Sequence, residues 1–277
     1  MSRVLMVVPT LGRRMKHLSL CLESIASQEA DVDLVLVAPK SAEIEAVAVH
    51  HSGRLVPDPL RGISGALNAG FAAALEGTEY VAWLGDDDML SPGSLAATTA
   101  TLDAHPRASL VYGWCDYIDD DGTLIFTNRA GHMAGRTITF APNLVPQPGS
   151  LMRLEDVQAV GGVDEQLSYS MDLDLFLRLR QRGRLVALPR VLASFRWHPD
   201  STTVQAEEAS AEEADRVRMR YMAPWAARVY GLARWPGRWA LRLVKWRVRR
   251  RAALERQPLP VGQGDAGPTS GGPGGQN

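Results

Sequence analysis

The first apolar block, Val4 to Val8, is short, rich in β-branched residues and stopped by Pro9-Thr10. It has no apolar–polar alternation, which is the pattern of a strand covered on both faces. Leu18, Leu22 and Ile25 then fall at helical spacing, and a second buried strand, Asp33 to Val37, ends before Pro39. Residues 64–76 place Leu67, Phe71 and Leu75 on one helix face, with Gly77 as the stop. A third strand, Tyr80 to Leu84, runs straight into Gly85-Asp86-Asp87-Asp88. Ser91-Pro92 predicts the next helix start, with Ser as the cap and Pro at the first helical position. This alternation of strand and helix predicts a parallel sheet covered by helices through about residue 105.

The pattern then changes. Ser109 to Tyr117 and Thr123 to Phe126 flank Asp120-Asp121-Gly122, a hairpin signal. Asp119, Asp120 and Asp121 are therefore read as turn residues. Residues 141–150 carry three prolines and read as a loop. Leu154 to Val160 predicts a short helix ended by Gly161-Gly162. Asp172 to Arg182 predicts a helix with Leu175, Phe176 and Leu179 on its apolar side, and Asp174 as a solvated or dipole-facing carboxylate. Two short strands, 185–188 and 191–197, lead into Arg196-Trp197-His198. The expected organisation is one α/β unit over 1–203, made of halves 1–105 and 106–203. A helical extension over 204–256 and a Pro/Gly-rich disordered tail over 257–277 follow.

Composition narrows the class. The 277 residues are 45% hydrophobic with a formal charge of -1, which excludes wholesale disorder and a uniformly basic nucleic-acid binder. Two cysteines, Cys21 and Cys115, exclude a disulfide framework and sit in apolar patterns expected of buried thiols. No run of about 18 apolar residues occurs, and the N-terminal apolar stretch is too short for a signal peptide, so the cytoplasm is the expected compartment. Near-neutrality conceals one asymmetry, because Arg228 to Arg251 contains no acidic residue. Trp235, Trp239, Leu243 and Trp246 share one helical stripe there, and Arg234, Arg238, Arg242, Lys245 and Arg249 lie along the next. Residues 228–251 therefore fit a helix lying on an anionic membrane surface, at the inner face. A helix packing its tryptophans onto the rest of the protein fits equally.

Three consecutive aspartates at the carboxyl end of a buried strand repel one another, and each raises its neighbours' pKa. A divalent cation, Mg2+ or Mn2+, removes that penalty, and open α/β sheets bind ligands at this end. A solvated loop is the alternative. Neither G-x-x-x-x-G-K-[ST] nor G-x-G-x-x-G is present, so a nucleotide would be held in another way.

Several segments resemble family 2 glycosyltransferases, which have the GT-A fold. They are Val7-Val8-Pro9-Thr10-Leu11-Gly12-Arg13, Gly62 to Gly70 (GISGALNAG), Trp83 to Asp88 with Ser91-Pro92, Gly161-Gly162-Val163-Asp164-Glu165, Met171 to Leu179, and Phe195 to Ser201. The resemblance covers about residues 3–203 and implies an inverting transfer of a sugar from a nucleoside diphosphate donor to a hydroxyl acceptor. It implies that 1–105 is the donor half and 106–203 the acceptor half. Pro9, Thr10, Arg13 and Asp86 would border the donor, Asp87, Asp88 and His198 would hold the metal, and Asp172 would be the general base. The acceptor would be a cell-surface glycan or a lipid-linked intermediate. Three positions depart from the family: no carboxylate stands after the second strand until Glu43, Gly85 replaces the first acidic residue, and Met171 replaces a Glu. Two other readings stand beside this one. Asp86-x-Asp88 also fits the D-x-D of haloacid-dehalogenase-type phosphatases, although that signature follows a first strand. A catalytically silent, membrane-associated scaffold would also keep such a fold.

Overall fold

The computed structural model describes residues 3–141, 143–197 and 207–230. Its nine strands form one sheet in the order β3-β2-β1-β4-β8-β6-β9-β5, with β7 paired to β6. The first four are β1 (Val4–Pro9), β2 (Val32–Ala38), β3 (Arg54–Pro57) and β4 (Tyr80–Trp83), all parallel. β8 (Leu151–Arg153) runs antiparallel to both β4 and β6 (Ala108–Ile118). β6 then pairs in parallel with β9 (Arg184–Arg196) and antiparallel with β7 (Leu124–Asn128). The sheet is thus parallel where strands and helices alternate, and mixed beyond.

Alternation along the strands explains the unbroken apolar runs. Leu5 and Val7 of β1 enter one core with α3 (Gly62–Ala72), α6 (Leu154–Ala159) and α7 (Met171–Arg182). Val4, Met6 and Val8 enter the opposite core with α1 (Met15–Ala26), α2 (Ala42–His50) and α4 (Ser94–Ala104). A strand buried on both faces has no position left for a polar side chain. On the first face α3 lies so close to β1 that a Cβ on Gly70 would collide with Val7. The two cysteines are buried free thiols, as expected.

Several elements differ from their sequence reading. One βα unit, α2 with β3, went unread. β3 is a four-residue edge strand with no buried residue, and α2 buries only Ile44 and Ala48, so neither leaves a long apolar period. The acidic loop therefore follows the fourth strand, not the third. α3 ends at Ala72, which leaves Leu75 beyond the helix and 52% exposed. α4 begins at Ser94 rather than at Ser91-Pro92. Met89–Leu90 (β5) pairs with Ala193 and Ser194 of β9, and Ser91 N–H donates to Leu192 O at 2.9 Å. The chain must turn at Pro92-Gly93 before a helix can start, and Gly93 supplies φ +69° for that turn. The two strands read over 185–188 and 191–197 are one, β9. Its register against β6 shifts between Tyr112 and Trp114, and the irregularity lets Pro189 stand inside a strand.

The chain beyond β9 returns to the same body. Helix α8 (Glu207–Arg220) places Val217 wholly inside the α3–α7 core, with Tyr221 packed beside it. A further helical segment spans 224–230. The tryptophan stripe from 235 onward and the Pro/Gly-rich tail lie outside the described residues. No helix among the described residues is long and apolar enough to cross a membrane.

Candidate active site

β1 and β4 end side by side, with Val7 opposite Trp83, so the loops that follow them emerge together. Thr10 ties these loops. Its Oγ1 donates to Asp86 Oδ2 at 2.5 Å and accepts the Gly12 N–H at 3.0 Å. Burial pushes the Asp86 carboxyl above the usual carboxylate range, the Thr10 hydrogen bond opposes this, and the Asp87 charge adds to it. Pro9 ends β1 immediately before Thr10, and Arg13, three residues after it, is exposed.

Asp87 is partly exposed, whereas Asp88 is turned inward and only 3% exposed. Asp88 Oδ1 accepts the Arg196 N–H at 2.9 Å, and burial with the Asp87 charge raises its carboxyl well above the ordinary range. Arg196 is itself buried. Its Nε donates to Asp87 O at 3.1 Å, and its Nη1 donates to Asp119 O and Asp120 O at 2.9 and 2.8 Å. One guanidinium therefore clamps the acidic loop to the β6–β7 turn. The Asp119–Gly122 run is the turn the sequence indicated, with Asp119 Oδ1 accepting Asp121 and Thr123 N–H.

Among the described residues, no group of three or more His, Cys, Asp or Glu side chains is placed to hold a metal ion. Asp87 and Asp88 offer carboxylate oxygens of the kind a hard divalent cation takes. Asp88 Oδ2 and Asp87 Oδ1 lie 2.8 and 3.2 Å from the position a Cβ would take on Gly85, so two carboxylate oxygens converge where a bulkier residue would not fit. Magnesium-type sites commonly take one or two carboxylates and complete their shell with phosphate oxygens and water. His198 lies outside the described residues.

Asp172 stands in the first turn of α7, one residue past its start, and is partly buried. Its carboxyl is pushed up to about 6, chiefly by burial. The backbone N–H groups of Leu173 and Asp172, the Arg218 guanidinium and the Asn143 amide pull the other way. Asn143 Nδ2 donates to Asp172 Oδ2 at 3.2 Å, and Gln147 Nε2, four residues on, donates to Trp83 O at 2.7 Å. The 143–150 loop thus touches both the end of β4, where the acidic loop begins, and the first turn of α7. Tyr117 feels the charge of both Asp88 and Asp172. Its phenol is raised by burial first, then by the Cys115, Asp88 and Asp172 charges. Asp174 is not the solvated carboxylate expected from its spacing. It is 2% exposed, pairs with Arg178 at 2.7 Å and accepts the Tyr221 hydroxyl at 2.7 Å.

The family model described as glycosyl transferase family 2 matches residues 6–153, just over half of the chain. The chain belongs to glycosyl transferase family 2. The matched span holds Pro9, Thr10, Arg13 and Asp86 to Asp88 and stops short of Asp172. Membership sets aside the phosphatase reading, whose D-x-D belongs after a first strand. The O-antigen biosynthesis protein RfbC of Myxococcus xanthus is 28% identical over 76% of this chain, and the uncharacterized protein y4gI of Sinorhizobium fredii is 28% identical over 50%. This chain spans only 16% and 15% of the length of those two relatives.

Solved structures show the same GT-A fold. Staphylococcus aureus TarS 1-349 in complex with UDP-GlcNAc superposes with a TM-score of 0.60 at 15% identity, over 79% of this chain and 66% of that one. The mannosyltransferase PcManGT of Pyrobaculum calidifontis, in complex with GDP-Man and Mn2+, gives 0.60 at 16% identity, over 94% and 77%.

Within this family 2 chain, two segments that carried the resemblance prove to be a structural pair. Asn68 of α3 accepts the Val163 N–H at 2.9 Å and donates to Val163 O and Glu165 Oε1 at 3.0 Å each. Asn143, Gln147 and the α8 side chains were not read as site residues. An isolated amide in a loop has no period or spacing to mark it.

Proposed function

We propose that this chain is an inverting, metal-dependent glycosyltransferase that moves a sugar from a nucleoside diphosphate donor to a hydroxyl of a growing cell-surface polysaccharide. One observation carries this reading: the 143–150 loop ties the end of β4, from which the Asp86–Asp88 loop emerges, to a partly buried carboxyl, Asp172, raised to about 6. An alcohol attacks well only as its proton is removed. Asp172 takes that proton, the acceptor oxygen bonds to the anomeric carbon, and the bond to the diphosphate breaks with its electron pair leaving on the diphosphate. One base and a single displacement invert the anomeric centre, whereas retention by double displacement calls for a second, nucleophilic carboxylate.

Pro9, Thr10, Arg13 and Asp86 border the donor in this reading, with Asp86 held for it by Thr10. Asp87 as the main ligand, together with Asp88 and His198, would hold Mg2+ or Mn2+, and the cation would offset the charge gathering on the departing diphosphate. Asp88 would offer its Oδ2 to the cation, while its Oδ1 accepts the Arg196 N–H. The polysaccharide acceptor is supported by RfbC, named for O-antigen biosynthesis, and the donor class by the UDP-GlcNAc and GDP-Man of the structural neighbours. The basic stretch 228–251 meets the anionic inner face of the membrane, where a lipid-linked acceptor would lie. Trp225 and Val229, one helical turn apart just before the basic stretch and at its start, are both exposed.

A thermal-shift panel of nucleoside diphosphates and their sugars, with and without Mn2+, tests the donor and metal assignments through ligand-linked stabilisation. Asp172→Asn is expected to keep donor binding and lose transfer by a factor of about 10² or more. Wild-type turnover in that variant would remove Asp172 from the mechanism. A chain that neither binds nor turns over any donor would be the silent scaffold instead.

A further inference from the structure

Helix α8 lies beyond the span that matches the family, yet one of its carboxylates is buried against the turn that launches α7. Glu213 is 6% exposed. Its Oε2 accepts the Ser168 N–H at 3.2 Å, and its Oε1 accepts the Tyr169 and Ser170 N–H groups at 2.7 Å each. Three successive backbone donors converge on one acceptor, an arrangement that favours an anion. Ser170 is the residue from which α7 springs, and its carbonyl accepts the Asp174 N–H at 3.0 Å. Asp172 lies inside that first hydrogen-bonded turn. Farther along, Tyr221 just past the end of α8 binds Asp174, so the two helices are tied at two levels.

We propose that Glu213 is a positioning residue for Asp172, holding the 168–170 turn so that the base is presented to the acceptor in one orientation. The proposal rests on Asp172 being the general base. Glu213 touches neither donor nor acceptor in this scheme and acts through the turn alone. Its charge lies at the N-terminal end of α7, where the helix dipole favours it, and charge-assisted bonds are shorter and stronger than neutral ones. A glutamine there would offer one acceptor oxygen and turn an NH2 group toward N–H donors. The turn would then shift, and a base displaced by about 1 Å can lose as much as 10²-fold in rate.

The test uses the full chain as wild type, Glu213→Gln, Glu213→Asp and Asp172→Asn, with UDP-GlcNAc and GDP-mannose as donor probes in Mn2+. Nucleoside diphosphate release gives kcat and KM, and amide hydrogen exchange follows residues 168–172. Glu213→Gln is expected to lower kcat on the order of 10- to 100-fold with donor KM within about twofold, and to speed exchange at 168–170. Glu213→Asp keeps the charge on a shorter arm and is expected to retain more kcat than the glutamine variant. It also supplies the comparison if the glutamine variant does not fold. Wild-type kcat in Glu213→Gln, or a kcat loss matched by an equal rise in donor KM, overturns the positioning role. Loss of transfer in Asp172→Asn beside a fully active Glu213→Gln would sink the positioning role and leave the base standing. An active Asp172→Asn would sink the base itself.

Discussion

Burial raises the Asp172 carboxyl to about 6, so the group is mostly ionised at neutral pH and still basic enough to accept a proton. Turnover should therefore fall on acidification, with a kcat limb near pH 6 that is absent from any residual rate of Asp172→Asn. The same shift has a stability consequence of opposite sense. A carboxyl whose folded pKa lies above its unfolded value binds more protons when folded, so stability falls as pH rises from about 4 to about 6. Asp172→Asn removes that cost, and its melting temperature at pH 7 is expected to exceed wild type by a few degrees. An unchanged or lower value would mean that the carboxylate's hydrogen bonds outweigh its burial. Asp172 was legible because it opens a helix within a recognisable segment. Asp174 does lie in the first turn of α7, as its spacing indicated, but it is buried against Arg178 and Tyr221 rather than solvated. Arg178 stands four residues on and was readable, but Tyr221 lies 47 residues away, just past the end of α8.

The elements that were read correctly are those buried on both sides, such as β1, β2 and β4, where burial demands an unbroken apolar run. β3 and α2 escaped because an edge strand and a lightly buried helix make no such demand. The start of α4 was misplaced for a different reason. Ser-Pro is a sound local helix start, but β5 pairing with β9 holds Ser91 back, and long-range hydrogen bonds outweigh a local preference. Gly161-Gly162 was read simply as a helix stop. Gly162 also has φ +72°, and a Cβ on it would collide with Asn68 Oδ1. Gly162→Ala is therefore expected to cost about 1–3 kcal/mol, measured by urea unfolding. In an Asn68→Ala background, where the collision is relieved, the added cost should be smaller. Equal costs in the two backgrounds would show that φ alone, not the contact, sets the penalty.

At the level of the whole molecule, α8 belongs to the folded unit although the sequence put a boundary near residue 203. Val217 fills the α3–α7 core, and Glu213 and Tyr221 serve α7. A chain ending at 203 is expected to fold poorly, whereas one ending at 230 should melt cooperatively near the full-length temperature, both read by circular dichroism. Equal melting of the two would restore the earlier boundary. The chain ending at 230 also isolates the basic stretch. It should lose most binding to anionic liposomes while keeping donor turnover, and liposome binding equal to full length would remove the membrane assignment.

The sequence by itself determined the alternation of buried strands and helices, the acidic loop at a strand's carboxyl end and a carboxylate opening a late helix. Each is local, because burial on both faces, like-charge repulsion and helix starts leave their mark within a few residues. Only the tertiary structure decided which of those carboxylates turn inward, that Arg196 clamps the loop, that Asn143 and Gln147 bridge Asp172 to the end of β4, and that Glu213 of α8 binds the turn before Asp172. These depend on side chains and backbone groups far apart in the chain meeting across packed elements. A single amide, guanidinium or carboxylate has no period of its own from which such a meeting could be read.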